Sequence, residues 1–296
     1  ALKWIDDNEL NIVSLLIIRN GKLALERYGF DKNEYDKNPF GLQAHQVTPD
    51  EYRHLHSTTK SITASLIGAA IDDGLIKDVD QNVLNYFPNS LFKHTDERKK
   101  QITIEDLLTM RSGFDWTETK DDMPMSQASH HINYMMNKAM RDKPGTKWNY
   151  NTGNSHVLSS IVQQATNKKT RYYAKEALFK PMGITNYTWW DDPQGVSFGG
   201  WGLSLTARDL AKFGELHLNE GKWKEQQLLS KSWVHNSSKS HAKANYRTGE
   251  YGYQWWVYPE LEMYCSKGSF GQNMYVLPEK NAVVVFFANM DFNHAD

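Results

Sequence analysis

Ile12-Val13-Ser14-Leu15-Leu16-Ile17-Ile18-Arg19-Asn20-Gly21-Lys22-Leu23-Ala24-Leu25-Glu26-Arg27-Tyr28 reads as two strands joined by a tight turn. The first half is an apolar, β-branched run and the second half alternates in part. Asn-Gly between such runs is a hairpin signal, because both positions tolerate positive φ. A second pair of strand-like runs lies at the far end of the chain. Asn273–Leu277 and Ala282–Phe287 flank Pro278-Glu279-Lys280-Asn281, which reads as another hairpin, and Tyr253–Tyr258 is aromatic and β-branched enough to be a further strand. Between the two ends the pattern changes to helical. Ile62, Leu66, Ile67 and Ala70 recur at helical spacing after Ser57, and Gly74 supplies a stop. Leu84 to Tyr187 reads as largely helical, with Thr103 and Asp106 as a loose capping box, and Thr206–Leu218 as one more helix. Strands at both ends with helices between them predict an α+β fold: an antiparallel sheet built from both termini, with flanking helices.

The expected division is one sheet region, residues 1–74 with 196–296, and one mostly helical region, residues 75–195. Asp31–Glu51 is polar and rich in Asn, Asp and Pro, so it is expected to be a long loop near the rim of a site. With 34 basic and 35 acidic residues, the charge balance offers no basic stripe for nucleic acid and no pull toward an anionic membrane. The longest apolar runs, Val13–Ile18 and Ala282–Ala288, are far too short to span a bilayer. The single cysteine, Cys265, excludes an internal disulfide framework and multi-cysteine metal sites. His54 and His56 have no supporting ligand cluster at metal-binding spacing, so no metal and no organic cofactor is expected. No Met opens the chain and it stops abruptly after the Asn289 region, so a processed or trimmed product short of a last helix is expected.

Chemistry is expected at Ser57-Thr58-Thr59-Lys60. A serine hydroxyl attacks poorly until a base takes its proton, and lysine serves as that base where burial and positive potential favour its neutral form. Residues three apart share a helix face, and the first turn lies in the positive end of the helix dipole. The motif is short, and about one match per chain of this length arises by chance. Ser240-His241-Ala242-Lys243 is such a second match, in a polar run without helical periodicity. Gly195-Val196-Ser197-Phe198-Gly199 fits the nucleophile elbow of α/β-hydrolases, but it lacks the strand before and the helix after that the elbow requires.

Further segments carry a resemblance. Lys143-Pro144-Gly145 followed by Trp148-Asn149-Tyr150-Asn151-Thr152-Gly153-Asn154 resembles the Y-x-N region of class C β-lactamases, DD-peptidases and related esterases. Leu107-Leu108-Thr109-Met110-Arg111-Ser112-Gly113-Phe114, Pro181-Met182-Gly183-Ile184 and Gly199-Gly200 through Leu210 resemble other segments of the same family, in the same order, from about Ile12 to Asn289. The resemblance implies the β-lactamase/transpeptidase-like fold, Ser57 as nucleophile, and Lys60 and Tyr150 as proton-transfer partners, a lysine and tyrosine side by side being able to act as general base and then general acid.

Where the β-lactamases carry K-T-G, this chain has Ser266-Lys267-Gly268-Ser269-Phe270-Gly271-Gln272. That pattern is more similar to the branch of 6-aminohexanoate-dimer hydrolase and family VIII esterases. It implies an oxyanion hole made by the backbone N–H groups of Ser57 and Ser269, with Gly268 and Gln272 beside the substrate. Gly268 is expected because a substrate approaches the strand closely. A register shifted by one would make Lys267 the motif lysine; the alternative is an exposed strand-end lysine. Thr152 stands where the family usually has a substrate-binding Asn, which Asn151 or Asn154 could replace. Trp116, Trp148, Trp201, Trp255 and Trp256 could wall an aromatic cleft, with core packing the alternative for at least half of them, and Asp115 is a further candidate on its border.

The resemblance implies a serine hydrolase acting through an acyl-enzyme on a small-molecule ester, amide or peptide-like substrate. Rival readings are a true β-lactamase or D-Ala-D-Ala carboxypeptidase, and a non-catalytic peptidoglycan or acyl-peptide binding module. The family is most often extracytoplasmic, which is the expected location, with the cytoplasm as the alternative.

Overall fold

A computed structural model describes residues 11–32, 44–88, 96–244 and 249–290. The terminal hairpin forms as its sequence dictates. Strands β1 (Ile12–Arg19) and β2 (Lys22–Tyr28) pair antiparallel around Asn20 and Gly21, whose φ values are 52° and 67°. Five further strands lie in the last quarter of the described chain: β4 (Glu250–Tyr251), β5 (Trp256–Tyr258), β6 (Met263–Gly268), β7 (Gln272–Leu277) and β8 (Ala282–Ala288). They follow the edge strand β3 (Ala242–Lys243). All eight form one antiparallel sheet in the order β3-β4-β5-β6-β7-β8-β1-β2. The two ends of the chain therefore meet at β1–β8, where Leu16 faces Val285 and Ile18 faces Val283. Val13, Leu16, Val283 and Val285 are buried. Each such side chain contributes about 1.5–3 kcal/mol relative to exposure.

Among the described residues eight α-helices accompany the sheet: α1 (Thr59–Asp72), α2 (Ile104–Leu108), α3 (Glu118–Gln127), α4 (His131–Met136), α5 (Thr152–Thr166), α6 (Thr170–Ala174), α7 (Ala207–Leu218) and α8 (Lys231–Ser238). Helix α7 packs on β1, β7 and β8. Its approach is close enough that a Cβ on Gly214 would stand 2.5 Å from Val283 Cγ1. Helix α1 is buried all round, from Thr59 through Ala70, and packs on α5. A helix without a polar face belongs in the middle of a domain. Thr103 and Asp106 form the expected capping box: each side chain accepts from the other's backbone N–H, at 3.2 and 3.0 Å.

Several sequence expectations need correcting. Tyr253–Tyr258 is not one strand. Gly252 to Trp255 turn instead, with Gln254 at φ 62°, and pairing starts only at Trp256. The Gln254 side chain is drawn inward to the Leu107 and Leu108 carbonyls, which outweighs the strand propensity of its aromatic neighbours. The central third is helical in short pieces, and residues 137–151 carry no helix. Of the expected loop Asp31–Glu51, Asp31 joins Phe30 in a short ribbon with His45–Gln46, and residues 33–43 lie outside the described ones.

Candidate active site

Ser57 sits in a 3-10 turn, His56–Thr58, that runs straight into α1. Lys60 is one turn on, 1% exposed, and its ammonium donates to Ser57 Oγ at 3.0 Å and to the Gly200 carbonyl at 2.9 Å. Gly200 is required there. A Cβ would stand 2.6 Å from Thr152 Cγ2, so any side chain would push the carbonyl off the lysine. Tyr150 is brought to the same point by the irregular segment before α5, whose N-cap is Asn151. Its ring centroid lies 4.9 Å from Lys60 Nζ, and it stacks on Trp256 at 5.9 Å.

The third wall is the turn from β6 to β7. Ladder pairing ends at Gly268 opposite Gln272, leaving Ser269 on the tip. Thr58 Oγ1 donates to the Gln272 carbonyl at 2.7 Å and so pins the Ser57 turn to β7. Two left-handed residues flank the pair of amides the sequence nominates: His56 at φ 49° directly before Ser57, and Phe270 at φ 66° directly after Ser269. Their rings meet edge to face, centroids 5.0 Å apart. Such backbone conformations cost about 1–3 kcal/mol each and persist where surrounding structure enforces them.

These elements enclose a cleft of about 540 Å³ lined by Ser57, Tyr150, Lys267, Gly268 and Ser269, by Trp116, Trp148 and Trp256, and by Glu118 and Arg141 among others. Three of the five nominated tryptophans therefore face it. Trp255 is core, stacked on Phe213, and Trp201 stacks on Phe198 at 4.1 Å away from the lining. Three other nominated residues are placed differently from expectation. Asp115 is exposed and reaches only toward Arg141, at 3.9 Å, because its neighbour Trp116 takes the inward position. Gln272 is buried, with its amide donating to the Ala288 carbonyl at 2.6 Å, because the first residue of β7 points to the end of β8. Thr152 faces Glu118 rather than the cleft: its N–H donates to Glu118 Oε2 at 3.0 Å and its hydroxyl to Oε1. Gly268 lines the cleft, but the closest demand on it is internal, since a Cβ would overlap the Leu55 carbonyl. Neither Asn151 nor Asn154 replaces the missing Asn. Both are buried at the start of α5, Asn151 as the cap and Asn154 accepting from Ser112 Oγ at 2.8 Å.

Sequence reasoning missed Glu118 and Asp122. Glu118 accepts from the Trp116 indole at 2.7 Å as well as from Thr152, so one carboxylate joins the first turn of α3 to the first turn of α5. One turn further along α3, burial, with the Glu118 carboxylate adding to it, pushes Asp122 up to about 6. The only advance signal was their i, i+4 spacing. Among the described residues His54 and His56 belong to no cluster of three or more metal-ligating side chains. They pack against each other, Gly202 N–H donates to His54 Nε2 at 3.1 Å, and burial pushes the two imidazoles down to about 4 and about 3. Ser197 is fully buried with its hydroxyl donating to Asp191 at 2.9 Å, and no helix follows it.

Fold and geometry define the class first: a β-lactamase/transpeptidase-like α+β protein with serine and lysine in contact at the head of a buried helix. Comparison with known proteins then gives the family. Residues 7–296 match the family model Beta-lactamase, and the chain belongs to that family. It is 27% identical over 269 residues to 6-aminohexanoate-dimer hydrolase of Paenarthrobacter ureafaciens, covering 80% of this chain and 66% of that protein. The chain thus spans just under two thirds of that relative. Among solved structures it superposes on EstCE1, a hydrolase with promiscuous acyltransferase activity, with TM-score 0.80 at 15% identity, covering 99% and 92% of the two chains. The octameric penicillin-binding protein homologue from Pyrococcus abyssi gives TM-score 0.76 at 19% identity, covering 99% and 73%. Among the described residues no helix is long and apolar enough to cross a membrane.

Proposed function

We propose that the protein is a serine hydrolase that cleaves a small-molecule ester or amide through an acyl-enzyme. The observation that carries this reading is the 3.0 Å contact from Lys60 Nζ to Ser57 Oγ on the floor of an aromatic-walled cleft. Ser57 Oγ attacks the carbonyl carbon while its proton passes to the Lys60–Tyr150 pair. The carbonyl oxygen gains the negative charge and is met by the N–H groups of Ser57 and Ser269. Both are free of regular pairing by position: the first amides of a helical turn have no intrahelical acceptor, and Ser269 lies outside the ladder. Collapse of the tetrahedral species expels an alcohol or amine, which takes the proton from the pair. Water then attacks the acyl-enzyme by the same route in reverse and frees Ser57. Trp116, Trp148 and Trp256 favour an apolar or aromatic group next to the carbonyl.

Intact-protein mass after a fluorophosphonate probe tests this reading. One adduct on the wild type and none on Ser57→Ala is the expected result; labelling of both places the nucleophile elsewhere. A second reading, β-lactamase or D-Ala-D-Ala carboxypeptidase, draws support from Lys267, which lines the cleft next to Gly268 with its ammonium 5.3 Å from the Tyr258 ring, where it could meet a substrate carboxylate. Turnover of a chromogenic cephalosporin at a rate near that for short-chain esters would favour it.

A further inference from the structure

Behind the wall that carries Tyr150 lies a second group of chemically capable side chains. His131 opens α4, His156 stands on the buried face of α5, and Asp192 lies in the turn that leads to Gly199-Gly200. All three are buried, the two histidines to 1% exposure. Asp192 is fixed by its backbone neighbours: Oδ1 accepts from the N–H groups of Gln194 and Val196 at 2.8 and 2.9 Å, which turns Oδ2 toward the imidazoles. His156 Nε2 is 3.0 Å from Oδ2 and His131 Nδ1 is 4.0 Å from it. The three donor atoms lie within 4.8 Å of one another. Zinc bonds to imidazole nitrogen and carboxylate oxygen are about 2.0–2.2 Å, so ligand atoms on one tetrahedral ion stand roughly 3.3–3.6 Å apart. The observed triangle closes on an ion with sub-ångström shifts of the side chains.

The polar accounting points the same way. No nitrogen of His131, nor Nδ1 of His156, closes a hydrogen bond of good geometry although all are sealed from solvent; the Ser126 and Ala128 backbones lie near the His131 ring and interact with it only weakly. Phe198 packs against both rings, at 5.2 and 5.3 Å, and supplies nothing polar. A buried imidazole left unpaired costs free energy, and native structures keep few such groups without a reason. Two imidazoles and one carboxylate are also a donor set that suits divalent transition metals, whereas calcium and magnesium prefer oxygen.

We propose that His131 Nδ1, His156 Nε2 and Asp192 Oδ2 bind one zinc-class divalent ion, which ties α4, α5 and the turn at Asp192 into one unit. The site is structural. It stands apart from the residues that line the cleft, yet it braces two of the segments that build it. Helix α5 starts directly after Tyr150, and the chain running on from Asp192 delivers the Gly200 carbonyl to Lys60.

The test is elemental analysis of the full chain produced in zinc-supplemented medium without a metal-affinity tag, followed by calorimetric titration of zinc ion alone into chelator-treated protein. One zinc per chain is expected, with Tm falling on chelation and restored by zinc. His131→Gln is expected to weaken zinc binding by about 100-fold or more, since loss of outer-shell support alone costs 10–100-fold. A wild type that neither retains nor takes up zinc overturns the proposal and leaves the three side chains as a metal-free polar cluster. Undiminished binding by His131→Gln overturns it too, since the ion then sits elsewhere. If that variant does not fold, the zinc X-ray absorption edge of the wild type decides. A shell with two imidazoles and an oxygen supports the site, and a shell without two imidazoles sinks it. Each of these readouts is independent of Ser57 and of any hydrolytic activity.

Discussion

The two sides of the cleft are held together in different ways. On the nucleophile side, backbone and core do the holding. Ser57 leads into a helix buried on every face, Thr58 is bonded to a β7 carbonyl, and the Ser269 tip is fixed by the β6–β7 ladder. On the opposite side, residues 116–152 have little regular structure facing the cleft, and side chains do the holding: Glu118 to Trp116 and Thr152, Asn149 to the Trp116 carbonyl at 2.9 Å, Tyr150 against Trp256. The first side resists almost any single truncation of a surface group. The second hangs on a few polar bonds, so small changes there should move Tyr150, the proposed proton-transfer group, while leaving Ser57 where it is.

Variants at five positions probe this contrast. Ser57→Ala should abolish ester turnover, a loss on the order of 10⁴–10⁶ in kcat, with an unchanged melting curve. Tyr150→Phe should cost about 10²–10⁴ in kcat, the usual range for removing a proton-transfer group, while Ser57 still accepts the fluorophosphonate. Equal loss of labelling would mean that Tyr150 belongs with the rigid side after all.

Glu118→Leu leaves the Trp116 indole and the Thr152 N–H without an acceptor. It should destabilise the fold by about 2 kcal/mol in urea titrations and raise KM more than it lowers labelling of Ser57. Asp122→Asn should show a pH signature. Because the folded carboxyl is raised to about 6 from an ordinary value near 4, the wild type loses stability as pH climbs from 4 through 6. The variant should therefore gain about 2 kcal/mol relative to wild type between pH 4 and pH 8, and parallel pH curves would show that Asp122 is not buried in solution. The smallest effect is on the rigid side. His56→Ala and His56→Gly both lose the ring contact with Phe270, but only glycine accepts φ 49° freely, so the glycine variant should be about 1 kcal/mol the more stable.

The same contrast governs what a sequence can disclose. Strands β1, β2, β7 and β8 were legible because they carry apolar runs and turn residues within a dozen positions of each other, whereas the short β3 and β4 carry no such run. Ser57 and Lys60 were legible because one helical turn separates them. Thr152 and Gln272 occupy motif positions, yet their directions depend on partners far away, a Glu118 carboxylate and a β8 carbonyl. Glu118, His131, His156 and Asp192 belong to no short pattern. They become neighbours only when α3, α4, α5 and the turn at Asp192 pack, and no spacing within one element announces that. Gly268 shows the reverse case: the residue was foreseen, but its tightest neighbour is the Leu55 carbonyl of the protein itself.

The pairing of β1 with β8 has a consequence for how the protein is made. Ile12–Arg19 leaves the ribosome first and Ala282–Ala288 about 270 residues later, which at 5–20 residues per second is a wait of roughly 13–54 s. For that interval the apolar β1 run has only β2 beside it and offers its other edge to any passing strand, a hazard for a nascent chain. Ser57 and Lys60 emerge early as well, but the β6–β7 turn that faces them across the cleft follows only about 210 residues later. Over that interval the growing polypeptide carries Ser57, the proposed nucleophile, without the amide of Ser269 opposite it, so the proposed reactivity would wait on the closing strands.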